Sequence, residues 1–252
     1  MIDFTLNSYK HYLNLIKAKY NIFTVKEYFL NPSPTHCFCI LRHDVDRMPH
    51  RALEMAKLEQ SLGLYSTYFF RTKKFVMNPK IISQIYKMGH EIGYHYESLS
   101  NCKGNMDYAL KDFEANLNKL RQIVPIDTIA MHGSPLSGYD NRDLWKDPIN
   151  HRLLKERFGI LGEIYLDIDY FDVAYISDTG RNWQSGKSNV RDHVATKLTM
   201  NIKNHKDLIG YLKNPHPKLV FQTHPERWTN DIIGFAAQFV TDNLVNFIKG
   251  VL

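Results

Sequence analysis

Two aspartates in the run HDVD (residues 43–46) have the spacing of carboxylates that act together. Residues two apart in an extended strand point to the same side, so Asp44 and Asp46 share one face. Nearby carboxylates repel each other unless a proton or a cation lies between them. A divalent metal would be held by one carboxylate and leave the other as a base. The alternative is a solvated loop in which the pair caps the next helix.

Three histidines end strand-like runs elsewhere in the chain. His95 closes EIGYH (91–95), His132 closes DTIAMH (127–132), and His224 follows KLVFQT (218–223). Imidazole combined with carboxylate suits zinc and similar divalent ions. Taken singly, each histidine also fits a hydrogen-bonded core or surface position. His90 precedes its strand, and we predict a structural role for it.

The elements that would position these residues alternate between strand and helix. Apolar or β-prone runs occupy residues 37–42, 64–70, 91–95, 127–132 and 218–223. Helical patterns occupy 7–19, a stretch that begins at Pro49, 79–88, 106–123, 205–213 and 230–249. This alternation predicts an α/β fold with a parallel sheet. In such folds the carboxyl ends of the strands carry the chemistry, so four polar strand ends would meet at one mouth.

Composition sets limits on the class of protein. The 252 residues are 44% hydrophobic, which suits one globular domain over residues 1–252. The net charge of +6 is spread along the chain, which argues against nucleic-acid binding. No apolar window is long enough for a membrane span, and the start lacks the pattern of a signal peptide, so we predict a cytoplasmic protein. We interpret Cys37, Cys39 and Cys102 as buried, reduced thiols.

The runs ILRHDVD and GHEIGYHYE together resemble the polysaccharide deacetylase family, also called NodB-like or carbohydrate esterase family 4. The resemblance is specific over residues 37–100 and looser over 125–228. It implies a distorted (β/α) barrel of seven or eight mostly parallel strands, here with a helical N-terminal extension at 1–30. It also implies that Asp44 is the general base, Asp46 and His95 are metal ligands, and His224 is the general acid.

One position departs from the family pattern. The family has a second ligating histidine four residues after the first, and this chain has Leu99 there. His132, Glu97 and His224 are the candidates for the missing ligand. We predict His132, because it ends a strand and Gly133 allows close approach. The implied cofactor is a divalent metal, with zinc as the first choice.

Two polar stretches, GYDNRDLW (138–145) and SDTGRNW (177–183), combine aromatic rings with charged and amide groups. Sugars are bound by an aromatic ring under their apolar face and by planar polar groups on their hydroxyls. The alternative is that DNRD caps a helix and Trp145 packs in the core. The predicted substrate-binding residues are Arg42, Tyr139, Arg142, Arg181, Trp183 and Trp228.

The leading hypothesis is a metal-dependent hydrolase that removes an acyl group from an N-acylated or O-acylated sugar. The substrate would be a small sugar or sugar nucleotide in surface-polysaccharide synthesis, such as that of an O-antigen. One alternative is a C–N hydrolase that acts on a non-sugar amide or cyclic imide. Another is a non-catalytic carbohydrate-binding member of the fold, which the leucine at position 99 motivates. The exact sugar, the acyl group and the oligomeric state are not predicted.

Overall fold

A computed structural model describes residues 2–31, 37–181, 183, 191–231, 233–236 and 238–240. Helices and strands alternate along these residues. The helices are α1 (Leu6–Lys17), α2 (Val25–Leu30), α3 (Pro49–Ser61), α4 (Pro79–Lys87), α5 (Ser98–Asn101), α6 (Met106–Arg121), α7 (Asp143–Lys146), α8 (Pro148–Glu156) and α9 (His205–Lys213). The strands are β1 (Asn21–Phe23), β2 (Phe38–Val45), β3 (Thr67–Phe70), β4 (Glu91–Tyr96), β5 (Thr128–Met131), β6 (Gly162–Glu163), β7 (Ala174–Ser177) and β8 (Lys218–Thr223).

The eight strands form one sheet, and every strand pair in the described ranges is parallel. The order is β6-β5-β4-β3-β2-β8-β7, and β1 pairs with the first residues of β2. The last strand, β8, is therefore inserted between β2 and β7. This arrangement confirms the predicted α/β class and the parallel sheet.

The sheet curls around an apolar interior. Residues from β2, β3, β5, β7 and β8 pack in one cluster with the segment that joins β6 to β7. Phe38 and Ile40 of β2 belong to this interior cluster, whereas Cys39 and Leu41 pack on the outer face with α1. Alternate residues of one strand thus face two different cores, as strand geometry requires. Strands near opposite ends of the sheet order, β5 and β7, therefore contribute to the same interior. This is the arrangement of a distorted barrel, and it confirms the predicted fold class.

Helices cover the outer face of the sheet, and several begin at recognisable caps. Pro49 and Pro79 stand in the first turns of α3 and α4, as predicted, because proline needs no hydrogen bond there. Asn78 and Asn105 accept backbone hydrogen bonds at the starts of α4 and α6. These caps fix where each helix leaves its strand.

The first 30 residues, predicted as a helical extension, contain a strand as well as helices. The strand is β1, which pairs with β2, and the second helix is α2. The pattern missed β1 because three residues are too few to show a period. Of the predicted helix at 230–249, residues 233–236 and 238–240 are helical, and the remainder lies largely outside the described residues. Across the described residues, none of the helices has the length and apolar character needed to span a bilayer.

All three cysteines lie in the described residues, and none of them is in a disulfide. Cys39 is buried, and burial raises the pKa of its thiol. Cys37 and Cys102 are partly exposed. His90 is buried with its Nε2 3.0 Å from the carbonyl oxygen of Ala56, which suits the structural role predicted for it.

Candidate active site

The predicted aspartates and two of the predicted histidines meet at the carboxyl ends of β2, β4 and β5. Nε2 of His95 lies 3.3 Å from Oδ1 of Asp46 and 3.7 Å from Oδ2 of Asp44. Nε2 of His132 lies 3.6 Å from the same Oδ1 of Asp46. Residues that are far apart in the sequence therefore converge on one carboxylate oxygen.

Both imidazoles are held through their other ring nitrogen. Nδ1 of His95 is 2.9 Å from the carbonyl oxygen of Ala130, which can only accept a hydrogen bond. Nδ1 of His132 is 3.0 Å from Oγ of Ser134 and 3.3 Å from Oε2 of Glu97. The proton of each neutral ring thus belongs on Nδ1, and each Nε2 turns a lone pair towards Asp46.

Two lone pairs that face an anionic oxygen repel it unless a cation or a proton lies between them. Oδ1 of Asp46 is buried and has no hydrogen-bond partner within the described residues. Within those described residues, no group of three or more His, Cys, Asp or Glu side chains is arranged to hold a metal ion. The donor chemistry nevertheless fits one, because ligands around a tetrahedral zinc lie roughly 3.4 Å from each other, as Asp46 does from both imidazoles.

The charges in this cluster shift the pKa values of its members. Burial raises the pKa of Asp46, but the neighbouring His132 and His95 lower it by more, so the net pKa lies well below the usual value. Burial lowers the pKa of His95, and Asp44 and Asp46 raise it to a net increase. Burial lowers the pKa of His132. The two imidazoles that face Asp46 therefore have pKa values shifted in opposite directions.

Asp44 is oriented through only one of its two oxygens. Its Oδ2 accepts hydrogen bonds from Nη2 of Arg42 at 2.5 Å and Nε2 of Gln222 at 2.7 Å. Its Oδ1 is buried and has no hydrogen-bond partner in the described part of the chain. Arg42, predicted to bind substrate, is instead fully buried and pairs with Asp44. One oxygen of Asp44 is thus available to accept a proton.

His224 is paired with a buried carboxylate. Nδ1 of His224 lies 2.6 Å from Oδ1 of Asp178, and the backbone N–H of His224 also donates to that carboxylate. Asp178 further accepts from Nη1 of Arg227 and Nε1 of Trp228, both at 2.8 Å. Burial and Arg227 lower the pKa of His224, but Asp178 outweighs them and raises it to about 9. His224 is therefore an imidazolium at neutral pH.

Glu97 lies behind His132, on the side away from Asp46. Its carboxylate accepts from Arg71 at 2.7 Å, forms an ion pair with Lys73 at 3.2 Å and contacts Nδ1 of His132. Among the three candidates for the missing ligand, His132 is thus the one whose free nitrogen faces Asp46. Leu99 is 3% exposed and packs in the outer hydrophobic core.

A cleft of about 540 Å³ opens beside His132 and Glu97. Tyr139, one of the predicted substrate-binding residues, lines it and is 43% exposed. The ring of Tyr139 occupies the space that a Cβ on Gly104 would need, so this glycine lets the ring lie against the backbone. Arg142, also predicted to bind substrate, is half-buried and paired with Asp140 at 2.6 Å.

Three other predicted substrate-binding residues pack against aromatic rings of the protein. Trp183 stacks between Phe4 and Phe221, and Trp228 is fully buried among aromatic rings. The guanidinium of Arg181 lies over the ring of Phe4 at 4.8 Å. The two indoles belong to the core between α1 and the sheet and have no free face for a sugar.

The structure brings further residues to the site that we did not predict. Gln222 could have been found, because it stands two residues before His224 on the same strand face. Asp178 lies in the stretch SDTGRNW, but its pairing with His224 spans 46 residues and leaves no local signal. Glu226 is buried, and its pKa is raised by burial and by the charge of Asp46. Arg71, which contacts Glu97, carried no pattern at all.

Solved family 4 carbohydrate esterases are similar to this chain. The Bacillus subtilis enzyme PdaA aligns at 16% identity over 92% of this chain and 82% of its own, with a TM-score of 0.47. A Streptococcus mutans esterase of the family aligns at 13% identity over 95% and 92%, with a TM-score of 0.46. The catalytic domain of a peptidoglycan N-acetylglucosamine deacetylase from Eubacterium rectale aligns at 11% identity over 82% and 84%, with a TM-score of 0.45.

No family model and no curated protein matches the sequence. Identities of 11–16% do not decide an activity. The function is therefore inferred from the chemistry of the site.

Proposed function

We propose that this protein is a metal-dependent hydrolase that removes an acyl group from an N-acylated or O-acylated sugar. One observation carries the proposal. The buried Oδ1 of Asp46 is faced by Nε2 of His95 and Nε2 of His132, and the other nitrogen of each ring is held as a donor. This is the arrangement of histidine ligands backed by outer hydrogen-bond acceptors in metal centres.

Asp46, His95 and His132 would hold the metal, and a divalent ion bound there supplies a polarised carbonyl and a more acidic water. Asp44 is the base in this proposal, since Arg42 and Gln222 occupy its Oδ2 and leave Oδ1 to accept the proton of the attacking water.

His224 is the general acid in this proposal. Its Nδ1–H is held by Asp178, which leaves Nε2–H to protonate the departing nitrogen or oxygen of the sugar. The raised pKa of His224, about 9, supports this role because the ring keeps its proton at neutral pH. Asp44 accepts a proton and His224 delivers one, so the two residues divide the proton transfers of a hydrolysis.

The cleft beside His132 supports a sugar-sized substrate, with the exposed ring of Tyr139 as a platform for its apolar face. Zinc as the metal, a sugar nucleotide as the substrate, the cytoplasmic location and a place in O-antigen synthesis stay predictions from the sequence.

The test combines metal analysis with turnover. We expect protein purified without added metal to contain about one divalent ion per chain. Chelation should abolish hydrolysis of p-nitrophenyl acetate and of N-acetylated amino sugars, and returning the metal should restore it. Asp44→Asn should retain the ion and lose roughly 10²- to 10⁴-fold in kcat.

A metal-free chain that binds sugars without hydrolysing them would replace the proposal with a binding module. Turnover of cyclic imides in preference to acetylated sugars would favour the C–N hydrolase alternative.

A further inference from the structure

Asp44 is reached from two sides by hydrogen-bond chains through the barrel interior. On the first side, Nη2 of Arg42 contacts both Oδ2 of Asp44, at 2.5 Å, and the hydroxyl of Tyr165, at 3.2 Å. The guanidinium is fully buried, and its centre lies 5.0 Å from the ring of Tyr165. Arg42 therefore has its position set jointly by Asp44 and Tyr165.

The second side runs through β8 and β7. Nε2 of Gln222 donates to Oδ2 of Asp44 at 2.7 Å. The amide oxygen of Gln222 accepts from the hydroxyl of Tyr175 at 2.7 Å. Gln222 is 1% exposed, so its amide orientation is set by these partners and not by water.

Both chains end on one carboxylate oxygen. The hydroxyl of Tyr165 lies 3.0 Å from Oδ1 of Asp192. The hydroxyl of Tyr175 also contacts that Oδ1 and shares its single proton between Asp192 and the amide oxygen of Gln222. The second oxygen of Asp192 accepts from Ser177 at 2.7 Å and from Thr179. Four hydroxyl groups thus converge on Asp192, three from β7 and the residues after it and one from Tyr165.

The contacts form a closed ring that begins and ends at Oδ2 of Asp44. Asp192 lies opposite Asp44 in this ring and belongs to the segment after β7, outside the runs ILRHDVD and GHEIGYHYE. Burial raises the pKa of Asp192, but the hydrogen bonds from Thr179 and Tyr175 lower it by more, so Asp192 is an anion that attracts hydroxyl donors.

We propose that Asp192 is a positioning residue for Asp44: it fixes both tyrosine hydroxyls and, through them, Arg42 and Gln222. The inference rests on the proposed function, in which Asp44 is the base. With Asp192 in place, both donors point at Oδ2 and Oδ1 stays free for the water proton. Without it, the two tyrosines are free to turn and the two donors lose their common orientation.

The kinetic test uses Asp192→Asn and Tyr175→Phe with p-nitrophenyl acetate as the probe. We expect kcat to fall roughly 10- to 100-fold and KM to stay within about twofold, because a misplaced base slows the reaction more than it weakens binding. Tyr170→Phe is the matched control. It removes a hydroxyl from the same interior, where Tyr170 donates to the carbonyl of Ile164 outside the ring, and should leave kcat unchanged.

A double-mutant cycle separates positioning from a general loss of structure. If Asp192 acts through Asp44, Asp192→Asn should have no further effect on kcat in an Asp44→Asn background. An unchanged kcat in the single variant overturns the inference, and so does a loss that adds in full to that of Asp44→Asn.

Crystal structures of the wild-type and Asp192→Asn proteins test the same point without turnover. We expect the Gln222–Asp44 or Arg42–Asp44 hydrogen bond to open in the variant, and an intact pair of bonds would contradict the inference. If the bonds open but Asp44→Asn hydrolyses the probe normally, the proposed function fails while the positioning of Asp44 by Asp192 stands.

Discussion

Each of the three histidines of the candidate site is held by a partner at its Nδ1 nitrogen. Ala130 fixes His95 through a carbonyl, Ser134 and Glu97 fix His132, and Asp178 fixes His224. Such partners set which nitrogen carries the proton and which one is presented to the site. Changing them should therefore alter protonation or orientation while the functional residue itself remains.

Asp178→Asn tests this for His224, the proposed general acid. Removing the anion that raises the pKa of His224 should move this pKa from about 9 towards the ordinary value near 6.5. The proton would then leave His224 at lower pH, so the alkaline limb of the kcat/KM profile should shift to lower pH. NMR titration of the His224 ring in the metal-free protein measures the same change directly.

Asp172→Asn serves as the control for this variant. Asp172 pairs with Lys197 at 2.8 Å at the surface, and its loss should leave the His224 titration in place. An unmoved pKa in Asp178→Asn would mean that the Asp178 charge does not govern the proton of His224.

Leu99→His tests whether His132 has replaced the usual second ligand. Leu99 packs among apolar side chains in the outer core, so a histidine there should bury a polar ring. We expect a loss of about 2 kcal/mol or more in the free energy of unfolding and no gain in metal affinity. His132→Ala should instead lower metal affinity more than roughly 100-fold.

Urea denaturation and calorimetric metal titration measure both variants. Tighter metal binding by Leu99→His would show that position 99 still reaches the ion.

The cluster around Asp46 could be predicted from the sequence, whereas the burial of Trp183 and Trp228 could not. Asp44, Asp46 and His95 followed from strand alternation and the motif resemblance, and His132 followed from its place at a strand end. Trp183 and Trp228 looked like sugar platforms because an indole suits either a core or a binding face. Their polar partners, Asp3 and Asp178, are 180 and 50 residues away, so no local pattern indicates burial.

The strand ends can bring their site residues together only if the interior side chains of neighbouring strands pack without clashes. Gly93 of β4 is paired in register with Phe69 of β3, and the Phe69 ring fills the space where a Cβ on Gly93 would lie. His95 stands two residues further along the same face. The missing side chain at position 93 therefore lets β4 bring His95 up to Asp46.

Gly93→Ala should force the Phe69 ring or β4 to move, at a cost of about 1–3 kcal/mol in the free energy of unfolding. Thermal or urea denaturation measures this, and Phe69→Leu in the same chain should recover part of the loss. Gly210→Ala in α9 is the control. A Cβ there meets open space, so alanine should stabilise the helix slightly. Equal stability of Gly93→Ala and the wild type would refute the packing argument.

Long elements were predicted well, and short ones were not. The sequences of α1, α4 and α6 repeat apolar residues at helical spacing over several turns. The predicted ends of each helix lie within a few residues of the observed ends. β6 has two residues and β1 has three, so their pairing in the sheet decides their conformation. Tertiary contacts of this kind leave no trace in a local window.

Strand β2 has a separate polar network on each of its two faces. Asp44 faces the interior, whereas His43 points outward and places Nε2 2.8 Å from Oε1 of Glu59. Glu59 is fully buried and also accepts from Ser66 at 2.6 Å and Tyr68 at 2.9 Å. This second network joins α3 to the sheet on the side opposite the site.

Acid should weaken the fold through this network. Burial raises the pKa of Glu59, but His43 lowers it by more, to about 2. Because this folded pKa lies below the unfolded value near 4.3, the stabilisation is present above pH 4.3 and is lost as pH falls towards 2. Glu59→Gln should remove about 3 kcal/mol at neutral pH and flatten the stability profile between pH 5 and 2. Urea denaturation across this range checks both; a slope equal to that of the wild type would exclude Glu59 as its source.

The insertion of β8 between β2 and β7 has a consequence for synthesis on the ribosome. Residues 38–43 of β2 pair with residues 218–223 of β8, which are translated about 180 residues later. Until β8 emerges, one edge of β2 offers unpaired backbone groups, which is the kind of surface that chaperones cover and that promotes aggregation. Gln222 is part of the same strand, so Asp44 lacks this hydrogen-bond partner until β8 has been translated.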